Sequence, residues 1–125
     1  MLANARAVAM INVADRKVSE PFYADTLGLK RVPGDSFAAL FDIDGVRMRL
    51  TEVPGYTAPA HPVFGFEVDD IKAAVDGLVA SGVTMNIYDG LGQDADGIWT
   101  APDGSCKVVF FNDPDGNGLS LTQVM

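Results

Sequence analysis

The sequence predicts an α+β fold in which one β-α-β-β-β unit is used twice. Two internal matches carry this reading. Asp42 and Gly45, followed by Leu50-Thr51, recur as Asp113 and Gly116, followed by Leu121-Thr122, at an offset of 71 residues. Val13-Ala14-Asp15 recurs as Val68-Asp69-Asp70 at an offset of 55, each time where a strand-like run gives way to a helix-like one. Loop lengths differ between the halves, while the order of elements does not. The chain divides accordingly into a first module at about 5–53, a Pro-rich linker at about 54–61 and a second module at about 62–125, forming one domain over 1–125.

In the first module, residues 7–13 alternate, with Ala9, Ile11 and Val13 on one face and Val8, Met10 and Asn12 on the other, as a half-buried strand requires. Asp15 can cap the helix that follows. Ser19-Glu20-Pro21 is the stronger start signal, combining a good cap, an acid at the positive end of the dipole and a proline suited to the first turn. Gly28 ends that helix. Residues 29–32, 37–41 and 46–52 read as strands, joined at Pro33-Gly34-Asp35 and Asp44-Gly45.

The second module opens with a strand at 63–68. A helix follows, capped by Asp69 or Asp70, in which Ile71, Ala74, Val75, Leu78 and Val79 recur at helical spacing up to Gly82. Residues 83–88 and 98–101 read as strands on either side of a Gly-rich polar loop at 89–97. The β-branched and aromatic run at 107–111, the turn Asp113-Pro114-Asp115-Gly116 and the alternating Leu119/Leu121 stretch form the closing hairpin.

Composition excludes several classes of function. With 48% apolar residues the chain can build a core. A net charge of −8 over 125 residues argues against nucleic acid as a partner, because phosphate binding needs clustered Lys and Arg. One cysteine, Cys106, leaves no internal disulfide and suits a reducing, cytoplasmic location. The apolar run at 7–13 is broken by Asn12 and Asp15, too early for a signal peptide or a membrane span, so no membrane partner is expected.

Phe22-Tyr23-x-x-x-Leu27-Gly28-Leu29 and Asp113-Pro114-Asp115-Gly116-Asn117, together with the duplication, resemble the vicinal-oxygen-chelate superfamily. That group includes glyoxalases, extradiol dioxygenases, fosfomycin-modifying enzymes and bleomycin-resistance proteins. The resemblance implies two modules forming a curved mixed sheet around a cavity, and a homodimer. It also implies where a metal would be held, on two His and two Glu at cavity-facing strand positions. Carried over by position, those ligands fall on Val8, Arg49, Val63 and Ser120. Valine has no donor atom and serine is a poor ligand. Arg49 is a permanent cation and repels a metal ion. No metal or other cofactor is therefore expected.

Parity places Arg47, Arg49 and Thr51 together on one face of their strand, with Glu67 on the corresponding face of the second module. A guanidinium in a cavity must be paired. Recognition of an anionic ligand and internal pairing with Glu67 compete as explanations. Trp99, Tyr88 and Phe111 are candidate aromatic walls, or ordinary core packing. His61, the single histidine, is a candidate acid/base group or displaced ligand acting with Glu67, or a solvated residue of the linker Ala60-His61-Pro62. The function that follows is metal-independent binding of a small molecule by Arg47, Arg49, Glu67, Trp99 and Ser120. A lyase or dioxygenase-like enzyme with displaced ligands, and a non-catalytic dimeric interaction module, are the alternatives.

Overall fold

The computed structural model describes residues 1–125. The chain forms two units, Met1–Ala58 and Pro59–Met125. Unit 1 contains β1 (Val8–Val13), α1 (Arg16–Pro21), a π-helical turn (Phe22–Thr26), β2 (Lys30–Val32), β3 (Ala38–Ile43) and β4 (Val46–Glu52). Unit 2 contains β5 (Pro62–Glu67), α2 (Ile71–Ala80), β6 (Trp99–Thr100), β7 (Cys106–Asn112) and β8 (Gly118–Val124). Each unit builds its own four-stranded mixed sheet, ordered β1-β4-β3-β2 in one and β5-β8-β7-β6 in the other. The two orders are the same topology, so the duplication read from the sequence is a duplication of fold. No helix is long and apolar enough to cross a membrane.

In unit 1 the core lies on one face of the sheet. Ile11, Val13, Phe41, Met48 and Leu50 are buried there. Tyr23 from the π-helical turn packs over them, its ring centroid 6.3 Å from that of Phe41. The helix starts earlier than its strongest sequence signal. Asp15 is the cap, its carboxylate accepting from the Lys17 N–H at 2.9 Å, while Ser19 is buried inside the helix and Pro21 closes it. Proline lacks an N–H and its ring crowds the carbonyl four residues back. The chain widens just after Pro21, and the Leu27 N–H reaches the Phe22 carbonyl at 2.9 Å, five residues away. Glu20 does not serve the helix dipole; it binds Arg16 at 2.8 Å and Arg31 at 3.3 Å.

Asp44-Gly45 is the two-residue hairpin turn between β3 and β4. Both residues have positive φ, 48° and 88°, the conformation that matches strand twist in such turns. Its repeat in unit 2 is larger and sealed by side chains. Asp113 Oδ1 accepts from the N–H groups of Asp115 at 2.9 Å and Asn117 at 2.8 Å, and Oδ2 accepts from Asn117 Nδ2 at 2.8 Å. Gly116 sits at φ 85°, and its N–H donates to the Asp113 carbonyl at 3.0 Å. Gly116→Ala is expected to cost about 1 kcal/mol through strain at positive φ. A thermal melt checks this, and an unchanged midpoint would contradict the turn's geometry.

In unit 2, Val109, Phe111, Leu119 and Leu121 form the core face, and α2 packs on β7 and β8 through Ile71 and Val75. Asp70 caps α2 by accepting from the Ala73 N–H at 3.1 Å, and Gln123 Oε1 accepts from the Ile71 N–H at 2.9 Å. The strand expected at 83–88 does not form. That segment joins β7 through the Asn86 N–H and the Phe110 carbonyl at 2.7 Å. The Gln93 side chain supplies further bonds a ladder would have made. Its Nε2 donates to the carbonyls of Asn86 and Gly97, each at 2.8 Å, and its Oε1 accepts from the Tyr88 N–H at 2.7 Å.

Candidate functional site

Strand pairing decides which side chains share the face turned away from the helix in each sheet. In unit 1, Arg49 is paired across β4 with Met10 on β1 and Leu40 on β3. Arg47 is flanked by Val8 and Asp42, and Thr51 by Asn12 and Ala38. The parity argument for the two arginines therefore holds. Arg47 is exposed and Arg49 is half-buried.

Where the sequence offered Glu67 as a counter-charge for Arg49, the structure supplies Asp35. Arg49 Nη2 lies 3.3 Å from Asp35 Oδ2, and the two side chains are 33% and 48% exposed. Asp35 sits in the loop before β3, where its Oδ1 accepts from the N–H groups of Phe37 at 2.8 Å and Ala38 at 2.9 Å. Those two N–H groups, the Phe37 one first, hold the Asp35 carboxyl below its ordinary value of 3.8; desolvation opposes them, and Arg49 adds lesser contributions in the lowering direction. A carboxyl depressed on folding stabilises the loop above its ordinary value, and that contribution is lost as pH falls through the lower folded value. The loop thus presents a fixed anion that positions the guanidinium.

In unit 2, Ser120 is flanked by Gly65 on β5 and Phe110 on β7. A Cβ at position 65 would lie 2.5 Å from Ser120 Oγ, so the glycine leaves room for the serine side chain. Glu67 is opposite Thr122, and Trp99 is opposite Val108, which pairs with Thr122 in turn. The pairing brings Glu67, Ser120 and Trp99 onto one face with Phe110. Phe111 is not among them. It is fully buried on the core face opposite Leu119, so the aromatic residue of β7 that faces away from the helix is Phe110.

A cleft of about 480 Å³ opens at the end of this face, among the segment before β5, the 85–88 segment and the β7–β8 turn. Pro59, Pro62, Asn86, Tyr88, Phe110 and Asn112 are among its walls. Tyr88 and Phe110 meet edge to face with centroids 5.7 Å apart. Asn86 Nδ2 donates to Asn112 Oδ1 at 3.1 Å and to the Tyr88 hydroxyl at 3.4 Å. Asn86 and Asn112 escape a reading by motif, because two asparagines 26 residues apart carry no spacing signal. His61 is exposed, its Nδ1 3.1 Å from the Pro62 carbonyl oxygen, and it does not line the cleft.

A sequence model of the Glyoxalase/Bleomycin resistance protein/Dioxygenase superfamily matches residues 6–121. The chain belongs to that superfamily. No curated protein matches its sequence. Among solved structures, a glyoxalase family protein from Enterococcus faecalis aligns with a TM-score of 0.76 and 18% identity, covering 98% of this chain and 99% of the other. The genomically encoded fosfomycin resistance protein of Listeria monocytogenes aligns at 0.75 and 15% identity, covering 100% and 96%. A lactoylglutathione lyase from Agrobacterium tumefaciens aligns at 0.66 and 22% identity, covering 96% and 93%. At these identities the likeness is one of fold.

Glyoxalase-superfamily membership raises the question of a metal, and the side chains present do not fit one. The ladders match Met10–Arg49 in unit 1 to Gly65–Ser120 in unit 2, at the offsets of 55 and 71 read from the sequence. Arg49 and Ser120 are therefore equivalent positions, as expected. Val8 pairs with Arg47, whereas Val63 sits in an irregularity between the Pro62–Gly118 and Phe64–Leu119 pairs, so that equivalence breaks locally. None of the four offers a carboxylate, an imidazole or a thiolate. No three His, Cys, Asp or Glu side chains come together elsewhere in a metal-binding group.

Proposed function

We propose that this member of the glyoxalase superfamily binds a small anionic molecule without the metal tetrad of its metal-dependent relatives. The observation that carries this reading is Arg49. By the superfamily resemblance it falls where metal-dependent relatives place a ligating carboxylate, and it is half-buried and paired with Asp35. A planar guanidinium with one edge anchored keeps further donors for a carboxylate or phosphate. Arg47 extends the cationic face of unit 1, and Glu67, Trp99 and Ser120, which share a face of unit 2, are proposed as ligand contacts of that unit. The superfamily resemblance extends the proposal to a homodimer, and the single cysteine, Cys106, extends it to a reducing, cytoplasmic setting.

The test has two arms. Elemental analysis of the purified protein is expected to return no stoichiometric divalent ion, and about one equivalent per chain would overturn the metal-free reading. Arg49→Ala is expected to abolish retention of an anionic ligand in native mass spectrometry. It should leave the melting temperature nearly unchanged, because an ion pair whose side chains keep 33% and 48% of their surface in water contributes little to stability. Undiminished ligand retention in the variant would sink the anion reading. By NMR, Asp35 should still titrate below its ordinary value in that variant, because its two backbone donors remain.

A further inference from the structure

We infer that the cleft of unit 2 is a second binding site, built for a flat, uncharged aromatic ring that carries a carboxamide or lactam edge. Its chemistry differs from that of the arginine face. No ionisable acid or base lines the 480 Å³ cleft apart from the Tyr88 phenol. A charged ligand would find no counter-ion there, in a chain whose net charge is already −8.

The polar wall is a pair of carboxamides. One hydrogen bond joins Asn86 to Asn112 at 3.1 Å. A single N–H···O bond between two carboxamides leaves one carbonyl oxygen and one NH2 group for a third, whichever way the two amides are turned. Asn86 and Asn112 thus present an acceptor and a donor, matching the donor and acceptor of an amide edge. A carboxylate matches half of that pattern, since it accepts and cannot donate.

The apolar wall suits a ring. Tyr88 and Phe110 form an aromatic corner, and Pro59 and Pro62 add apolar surface of low flexibility. The same corner borders an adjoining hollow of about 410 Å³ beside Asp89, Gly90 and Leu91. Both volumes fall in the range of roughly 300–1,000 Å³ that small-molecule sites occupy. The corner is fixed from behind, because Gln93 holds the carbonyl of Asn86 and the N–H of Tyr88. A site so held needs little ordering on binding.

Benzamide is the minimal probe of this chemistry, and benzoate is its charged counterpart of the same shape. In titrations of the isotopically labelled full chain followed by NMR, benzamide is expected to shift the side-chain amide signals of Asn86 and Asn112 and the backbone signals of Tyr88 and Phe110 saturably, at millimolar concentration. Benzoate is expected to bind there at least about tenfold more weakly, the equivalent of one unmade hydrogen bond. Asn112→Ala should weaken benzamide by a similar factor. Tyr88→Ala, at a side chain that is 48% exposed, should weaken it while preserving the fold. Equal affinity for the two probes, a benzamide response that grows without saturating, or shifts that bypass Asn86 and Asn112 would each overturn the assignment. Benzoate shifts around Arg49 report on the anion site instead, so the two readings fail separately.

Discussion

Asp113→Ala is expected to lower the unfolding free energy by about 3 kcal/mol or more, measured by urea denaturation. Asp113 is 4% exposed and Asn117 is fully buried. The carboxylate accepts from the Asn117 N–H, from Asn117 Nδ2 and from the Asp115 N–H, all within 2.9 Å. Alanine removes every one of these acceptors and leaves the donors of Asn117 buried without them. Each such group carries a penalty of about 1–3 kcal/mol. Asp113→Asn should fall between alanine and wild type, because its oxygen can still serve one donor set while its NH2 opposes the other. An alanine variant with the wild-type midpoint would mean that this turn is not sealed as described. The motif that helped to mark the superfamily in the sequence is, on this account, a folding device and not a reactive group.

The second large effect separates two neighbouring phenylalanines. Phe111→Ala is expected to cost about 3–5 kcal/mol, as truncation of a fully buried aromatic residue does. Phe110→Ala should cost roughly 1–2 kcal/mol, reflecting partial burial and the loss of one aromatic pair with Tyr88. The same variant should impair benzamide binding, whereas Phe111→Ala acts on stability. Denaturation of both variants under one set of conditions measures the difference. A reversed order would place β7 in the opposite register to the one that pairs Phe110 with Ser120.

Much of this protein is local, and local features are legible in the sequence. Asp44-Gly45 and Gly116 mark positive-φ turns because few residues other than Gly, Asn and Asp adopt that conformation. Alternation along 46–52 fixed the face of Arg47 and Arg49, because a strand reverses its side chains at every residue. The repeat offsets survive as ladder equivalences between Arg49 and Ser120.

What the sequence left open depended on contacts between distant segments. The run Lys107-Val108-Val109-Phe110-Phe111 does not alternate, so its phase had to come from pairing with β8, which turned Phe111 inward and Phe110 outward. Residues 83–88 have strand-like composition, yet the Gln93 side chain competes for their backbone groups, and a single side chain's reach is invisible to periodicity. Helix signals at Ser19 and Asp15 overlapped, and burial of Ser19 and Tyr23 against the sheet favoured the earlier start. Arg49 could be assigned a face but not a counter-ion, because Asp35 reaches it from a loop shaped by its own bonds to Phe37 and Ala38. By itself the sequence determined the duplicated α+β fold, the turn chemistry and the residue types at Val8, Arg49, Val63 and Ser120, all of which rest on residue identity and spacing. Tertiary structure alone decided which polar groups meet, because Asn86 with Asn112 and Arg49 with Asp35 are joined by strand register and loop closure.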